Sequence, residues 1–545
     1  MSVDCLLFTG QKGLEHNLHQ GQPVYTYRRR TAGAYRIATH LRDHGYDTEV
    51  IDFMFAWSLE ELKEIARSRL DKNSTMMGFG TLFDGNSPIL SEFILWAKKQ
   101  WPQLITLAGS QDLWQIAGLP VDYHVTGYGE KGIIAVLKGD VEYNEKISMM
   151  GVVNRHVHCH QTEKYQAYPE PNLHIEYEDR DFIEPNEMLV METSRGCKFK
   201  CKYCTFPVLG VKGDYTRCAD NFREDLIRNY DRWGVSNYLL ADETFNDSTA
   251  KIKKFADVVE SLDFEPNFGG FIRLDLLASR DGDMEELARM RHNSHTYGVE
   301  STNLPSVKAI GKGMHPQKML DKALEVKEYS MKHNDFYGGE MSLICGLPYE
   351  TPETLDKTLK WIDTYWKGQS HTWFNLMIFS EEGGARPSVL AGNMEDYGYE
   401  HLTGDKLEEL QSQVSLESMR HILDNPNVDD IVKLRIRENL PNFSGAEYKY
   451  NFKAWRNESF DSWTAWKWIQ ENVHGHERFW DAGPGVFFAD EWHSVGYTRK
   501  ELLQSYRELG KIIYPEMSLR IKAIEKYKER KFNYGKTENS KQTLR

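Results

Sequence analysis

The sequence contains no run of the roughly 18 apolar residues that a membrane-crossing helix needs. Its N-terminus lacks the basic-then-apolar layout of a secretory leader. It has no basic excess either. Lys and Arg number 67 against 81 Asp and Glu, a formal net charge of −14 at pH 7. That balance argues against general nucleic-acid binding, because phosphate contacts require basic surface. Cysteine is scarce, seven in 545 residues with three of them clustered, which suits a reducing cytoplasm better than a disulfide framework. These absences leave a soluble, cytoplasmic protein with no membrane partner as the expectation. A chain of 545 residues exceeds one ordinary core, so two or three domains are expected.

The most informative stretch is Glu192-Thr-Ser-Arg-Gly-Cys-Lys-Phe-Lys-Cys-Lys-Tyr-Cys-Thr205, which follows the apolar run Met188–Met191. Cys197, Cys201 and Cys204 have C-x3-C-x2-C spacing. Thiolates are the usual ligands of iron–sulfur clusters. Three of them leave one iron of a 4Fe–4S cluster without a protein ligand and open to substrate. Structural zinc prefers four ligands, commonly as two pairs, and no second pair follows.

This stretch resembles the radical S-adenosylmethionine (SAM) superfamily, whose cluster loop has this spacing after the first strand of a partial β/α barrel. Tyr203 matches the aromatic residue usual before the third cysteine. The resemblance implies a 4Fe–4S cluster on Cys197, Cys201 and Cys204, whose open iron chelates SAM. It further implies an external electron donor of flavodoxin type and cleavage of SAM to a 5′-deoxyadenosyl radical. A fourth thiolate would close the cluster to SAM, so Cys218 is expected to be an ordinary thiol and Cys345, in an apolar strand, a core residue.

Residues 1–150 alternate short apolar strands with amphipathic helices. Val3–Thr9, Thr48–Asp52, Met76–Gly80, Ile105–Ala108 and Tyr123–Thr126 are the strands, and Ala34–His44, Leu59–Leu70 and Pro88–Gln100 the helices. The pattern predicts a doubly wound, flavodoxin-like parallel sheet that binds ligands beyond the carboxyl ends of its strands. Its punctuation resembles the cobalamin-binding domain that precedes the barrel in one radical SAM subgroup. The matching residues are Gly45 with Val50-Ile-Asp52, Gly78-Phe-Gly80, Leu107-Ala-Gly109 and Gly127-Tyr-Gly-Glu130. By resemblance, Gly80, Gly109, Gly127 and Glu130 would approach cobalamin. The alternative is that these are ordinary loop glycines. The D-x-H-x-x-G motif that ligates cobalt in the wider cobalamin family is absent; Asn17-Leu-His19-Gln-Gly21 is one residue short of it. Tyr25-Thr-Tyr-Arg-Arg-Arg30 suits either a phosphate-holding loop or a solvated basic one. Residues 151–187 are expected to be a connector, with His156, His158 and His160 able to share a strand face but lacking further ligands nearby.

Residues 188–380 carry the expected six-strand partial barrel, with strands at Met188–Thr193, Asn237–Ala241, Gly269–Leu274, Thr296–Glu300, Glu340–Cys345 and Phe374–Phe379. Sites in β/α barrels lie at the carboxyl ends of strands, where Asp242, Glu243, Arg273, Glu300 and Gly346 fall. Asp242 and Glu243 are expected acceptors for the ammonium of SAM. Tyr-Gly-Val-Glu-Ser301 and Gly346-Leu-Pro-Tyr-Glu-Thr351 resemble the family's G-x-E-S and G-L-P-x-E-T segments. The resemblance implies that Glu300 accepts from ribose or amino groups and that Gly346 lies beside the adenine. The alternative for Arg273 and Glu300 is a surface or barrel-mouth ion pair. Gly338-Gly-Glu340 spells a familiar superfamily triplet but lies too late in the barrel to serve.

Residues 381–545 are expected to form a mainly helical C-terminal domain, with helices at Asp405–Leu423, Ser462–Asn472, Arg499–Leu509 and Met517–Lys528. Ser380-Glu-Glu-Gly-Gly-Ala-Arg-Pro387 replaces the subgroup's usual P-G-T turn. The leading expectation is a cobalamin-dependent radical SAM methyltransferase acting on an unactivated carbon of a small molecule or peptide. A radical SAM enzyme without cobalamin and a non-catalytic iron–sulfur redox protein are the alternatives.

Overall fold

Strand β1 (Cys5–Gln11) is apolar on both sides and buried on both. Leu6 and Phe8 join one core, whereas Cys5 and Leu7 join another on the opposite face. Alternation between two cores is what a central strand of a helix-covered parallel sheet requires. The computed structural model describes residues 2–11, 30–82, 88–111, 113, 116, 118–147, 153–159, 163–165, 173–185, 187–204, 215–333, 337–366, 370–376, 388–410, 454–472 and 524–534.

The N-terminal sheet adds β2 (Thr48–Ile51), β3 (Met76–Leu82), β4 (Ile105–Ser110), β5 (Tyr123–Thr126), β6 (Asn144–Ile147) and β7 (Val153–His158). Its order is β2-β1-β3-β4-β5-β7-β6. The 2-1-3-4-5 start is the flavodoxin-like order, with the ligand-binding switch point between β1 and β3. Helices α1 (Ala32–Asp43), α2 (Leu59–Arg69), α3 (Pro88–Gln100) and α4 (Glu130–Lys138) are described alongside it. Serine starts α2 through a capping box: Ser58 N donates to Glu61 at 2.7 Å and Glu61 N to Ser58 at 3.3 Å.

The sheet continues past residue 150. β7 pairs in parallel with β5, and β6 runs antiparallel to β7. His156 therefore lies buried in a sheet, with Nε2 2.9 Å from Thr126 Oγ1. Arg30 is neither solvated nor turned to a phosphate. It is buried in an ion pair with Glu187, Nε to Oε2 2.8 Å, and donates to Tyr35 at 2.7 Å.

The second sheet runs β13-β12-β11-β10-β9-β8 in strict chain order. Its strands are β8 (Met188–Met191), β9 (Asn237–Leu240), β10 (Asn267–Ile272), β11 (His292–Glu300), β12 (Gly338–Cys345) and β13 (Ser370–Leu376), all parallel. Helices α5 (Ala219–Trp233), α6 (Thr249–Glu260), α7 (Leu274–Leu277), α8 (Asp283–Arg289), α9 (Leu304–Ala309), α10 (Pro316–His333) and α11 (Pro352–Trp361) connect them. β8 and β13 do not pair with each other, so the barrel is partial. Glu340, of the late Gly-Gly-Glu triplet, accepts from Thr296 Oγ1 at 2.9 Å on the fifth strand.

Beyond the barrel come α12 (Val389–Gly392), the short β14 (Glu400–His401) and β15 (Trp455–Arg456), and α13 (Ser462–Asn472). Helix α14 (524–534) returns to the N-terminal domain, where Ile524 and Tyr527 enter its core. Lys531 on α14 pairs with Glu49 at 3.0 Å, both fully buried, and Glu49 also pairs with Arg69 at 2.8 Å. Of the expected helices, Asp405–Leu423 is described, as helix, only over 405–410, Met517–Lys528 only from 524, and Arg499–Leu509 lies outside the described residues. Among the described residues no helix is long and apolar enough to cross a membrane.

Candidate active site between the facing strand ends

The cluster loop leaves β8 at Met191 and is tied down by Asp242, at the end of β9. Asp242 accepts from Thr193 N at 2.7 Å, Ser194 N at 3.2 Å and Ser194 Oγ at 2.8 Å, and also from Thr193 Oγ1. Lys251 of α6 adds an ion pair at 2.8 Å. Both oxygens of Asp242 are thus occupied inside the protein. These bonds shape the loop.

Cys197 is half-buried, with Sγ 3.7 Å from Thr244 Oγ1. Burial, followed by the charges of Cys201 and Glu243, pushes its thiol up from the ordinary range. Cys201 is buried and Cys204 half-buried, and Cys204 N donates to Cys201 O at 3.1 Å. Cys197, Cys201 and Cys204 follow one another on the loop that leaves β8, and free thiols of this kind are the residues that ligate iron–sulfur clusters. Cys218, the N-cap of α5, is exposed. Tyr203 carries the loop across the barrel mouth, donating to Glu300 Oε1 at 2.7 Å. Glu300 has a left-handed backbone, φ +66°, and the same oxygen accepts from Lys312 at 3.1 Å. A side chain held in that region at a strand end signals a functional constraint. The Lys312 ammonium is the cation of that ion pair; Arg273 pairs elsewhere.

Arg273, the N-cap of α7, donates to Cys201 Sγ at 3.2 Å and clamps Asp275 with two bonds of 3.0 and 2.6 Å. Gly346 takes φ +93°, and a Cβ there would come within 2.5 Å of the Trp455 ring. Its carbonyl accepts from Tyr399 at 2.7 Å, so the C-terminal segment covers the position expected beside an adenine. Glu350 supports that turn, accepting from Gly346 N at 2.9 Å and Ser301 Oγ at 3.1 Å, and burial raises its pKa to about 8.

On the N-terminal side, Gly80, Gly109 and Gly127 lie at or just beyond the carboxyl ends of β3, β4 and β5. Gly80 and Gly109 face each other in register, and Gly127 N donates to Ser110 O at 3.0 Å. A Cβ on Gly109 would meet nothing closer than Val125 O at 3.9 Å, an ordinary van der Waals contact. Gly127 has φ +89°, which favours glycine outright.

The turn after Gly127 joins the two domains. Tyr128 lies beneath the Arg195 guanidinium, 4.2 Å from ring centroid to Cζ, and its hydroxyl donates to Glu243 at 3.4 Å. Glu243 receives no closer hydrogen bond from the described residues, and burial with the nearby Asp242 and Glu192 charges raises its pKa to about 7. Glu130 accepts from Arg195 at 2.6 Å and Arg36 at 3.1 Å, and Arg195 also reaches Glu192 at 2.8 Å. Burial alone would raise the pKa of Glu130, but the two arginines outweigh it and hold it at about 2. Glu130, expected near a corrin, thus works as the joint between the domains. Tyr128, Arg195, Thr244, Lys251, Asp275 and Lys312 escaped the sequence. Tyr128, Arg195, Thr244 and Lys312 had a signal, since they lie in the Gly127–Glu130 turn, the cluster loop, the Asp242-Glu-Thr-Phe-Asn246 strand end and the Gly311-Lys-Gly313 turn.

Residues 191–362 match the model of the Radical SAM superfamily. The chain therefore carries a radical SAM domain, built on the six-strand partial barrel. Its fold is shared with cobalamin-dependent radical SAM enzymes. The methyltransferase TsrM from Kitasatospora setae, solved with tryptophan substrate and a SAM analog, superposes with a TM-score of 0.53 at 13% identity, covering 73% of this chain and 79% of that one. OxsB, solved with aqua-cobalamin and SAM, also gives 0.53 at 14% identity, covering 92% of this chain and 70% of that one. An uncharacterized methyltransferase of Pyrococcus horikoshii is 27% identical over 179 residues, 31% of this chain and 36% of the relative. The anaerobic magnesium-protoporphyrin IX monomethyl ester cyclase of Synechocystis is 22% identical over 250 residues, 42% and 48%. The chain thus spans less than half the length of these curated relatives.

Proposed function

We propose that this protein is a cobalamin-dependent radical SAM methyltransferase that methylates an unactivated carbon. Cys197, Cys201 and Cys204 would hold a 4Fe–4S cluster, and the open ends of β3, β4 and β5 would receive cobalamin. When bound, the cluster supplies the electron that cleaves SAM to a carbon radical, and methylcobalamin supplies the methyl group. The protein's own residues do the positioning. Asp242 and Lys251 fix the loop, Tyr203 and Glu300 brace it across the barrel, and Glu243 accepts the ammonium of SAM. The substrate, a small molecule or peptide, would enter the barrel, and a flavodoxin-type donor would supply electrons.

One observation carries this reading. The carboxyl end of the N-terminal sheet faces the carboxyl end of the barrel, and Tyr128 from the first touches Arg195 and Glu243 in the second. Two ligand-binding edges turned toward each other are what transfer between two cofactors requires. The test is anaerobic reconstitution with iron and sulfide, with and without cobalamin, followed by assay of 5′-deoxyadenosine and of methylated product. Bound corrinoid together with deoxyadenosine supports the proposal. Deoxyadenosine in a chain that binds no corrinoid leaves radical chemistry standing and removes the methyl-transfer arm.

A further inference from the structure

Arg273 sits where β10 passes into α7, and its backbone is fixed on both sides by Asn246. Arg273 N donates to Asn246 Oδ1 at 2.8 Å, and Asn246 Nδ2 returns a bond to Arg273 O at 2.9 Å. The side chain is fixed as firmly. Asp275 grips Nε and Nη2 at 3.0 and 2.6 Å, and the guanidinium lies 4.0 Å from the Phe199 ring centroid, over a residue of the cluster loop itself. With one edge clamped and one face stacked, the remaining donor, Nη1, points at Cys201 Sγ, 3.2 Å away. A barrel-mouth ion pair would need only the contact with Asp275. The third contact gives the pair a direction.

We propose that Arg273 is a positioning residue that sets the reduction potential of the cluster through its hydrogen bond to the Cys201 sulfur, with Asp275 and Phe199 holding it on target. The inference rests on the reading of Cys197, Cys201 and Cys204 as cluster ligands. Hydrogen bonds to ligating sulfurs are one of the protein's levers on cluster potential. A donor that keeps its charge at every accessible pH stabilises the more negative, reduced state, and partial burial strengthens the bond. Arg273 therefore makes the cluster easier to reduce by the one electron that the external donor delivers.

The test is a redox titration with dithionite, followed by electron paramagnetic resonance, on the reconstituted full chain without substrate. Wild type, R273K, R273Q and R273M are compared. R273Q is expected to lower the midpoint by about a tenfold change in the reduced-to-oxidised ratio, about 59 mV for one electron. R273K, which keeps the charge but not the planar fork, should move it in the same direction by less. An unshifted midpoint in R273Q, at wild-type iron and sulfide content, overturns the proposal. If R273Q assembles less cluster, R273M, which removes the charge and the donor but keeps the chain packed on Phe199, is judged by the same criterion. A wild-type chain that assembles no cluster at all contradicts the underlying assignment of the cysteines instead.

Discussion

The two halves of the site are built from opposite materials. At the barrel mouth, side chains do the work: thiols, a braced Glu300, a clamped Arg273 and a half-open Glu243. The facing edge of the N-terminal sheet carries Gly80, Gly109 and Gly127, half-buried positions without side chains, and Gly127 has the positive φ that favours glycine. Directed polar atoms suit a small, charged group, whereas a large planar ligand such as the proposed corrin calls for positions free of side chains. The two halves meet in one buried network, Arg36–Glu130–Arg195–Glu192, which makes their mutual placement a matter of electrostatics as well as packing.

Each side of this contrast can be broken separately. The largest effect is expected at the barrel mouth: Cys197→Ala, Cys201→Ala or Cys204→Ala should abolish cluster assembly, measured as iron and sulfide per chain, while corrinoid binding persists. Loss of both together would mean that the halves are not separable. Next in size, Arg195→Ala strands Glu130 and Glu192 with less compensation. It should destabilise the chain by about 3 to 5 kcal/mol, read from denaturant midpoints. The pH profile checks the cause. Because Glu130 is held at about 2 in the fold, its contribution is present above its ordinary 4.5 and is lost as pH falls through 2. That acid limb should shrink in the variant.

Gly109→Ala sharpens the contrast from the other side. The position has no positive φ, and the nearest atom to its Cβ lies 3.9 Å off, so stability should change by no more than about 0.5 kcal/mol. Corrinoid affinity should nevertheless fall more than tenfold, measured by absorbance titration; undiminished affinity would show that the edge does not contact the ligand. The smallest effect concerns Glu243. With its pKa at about 7, ionisation between pH 6 and 8 should tighten SAM binding about tenfold. Glu243→Gln should flatten that dependence in calorimetry. The same carboxyl keeps its proton in the fold up to about pH 7. Its contribution to stability is therefore full below its ordinary 4.5 and lost as pH rises through 7.

Much of the fold was legible because both domains rest on short apolar strands and capped helices. Pro88–Gln100, Tyr123–Thr126 and Ser462–Asn472 fall at the predicted residues. A strand face through His156 and His158 was legible, but its membership of the N-terminal sheet was not, because that place depends on pairing with the distant β5. The docking of α14 on the N-terminal domain was equally hidden, since a Lys531–Glu49 pair joins residues 482 apart. In the site, spacing identified the thiols because they share one loop. It could not rank Asp242 against Glu243, two adjacent carboxylates. Only the bonds from Thr193, Ser194 and Lys251 show that the first is occupied and the second open.

The most direct test of the central claim is deoxyadenosine release by the anaerobically reconstituted full chain with cobalamin, SAM and reductant, set beside Cys201→Ala. The account predicts 5′-deoxyadenosine from wild type and none from the variant. An intact cluster in wild type that yields none under reduction would contradict it and leave an electron-transfer protein in its place.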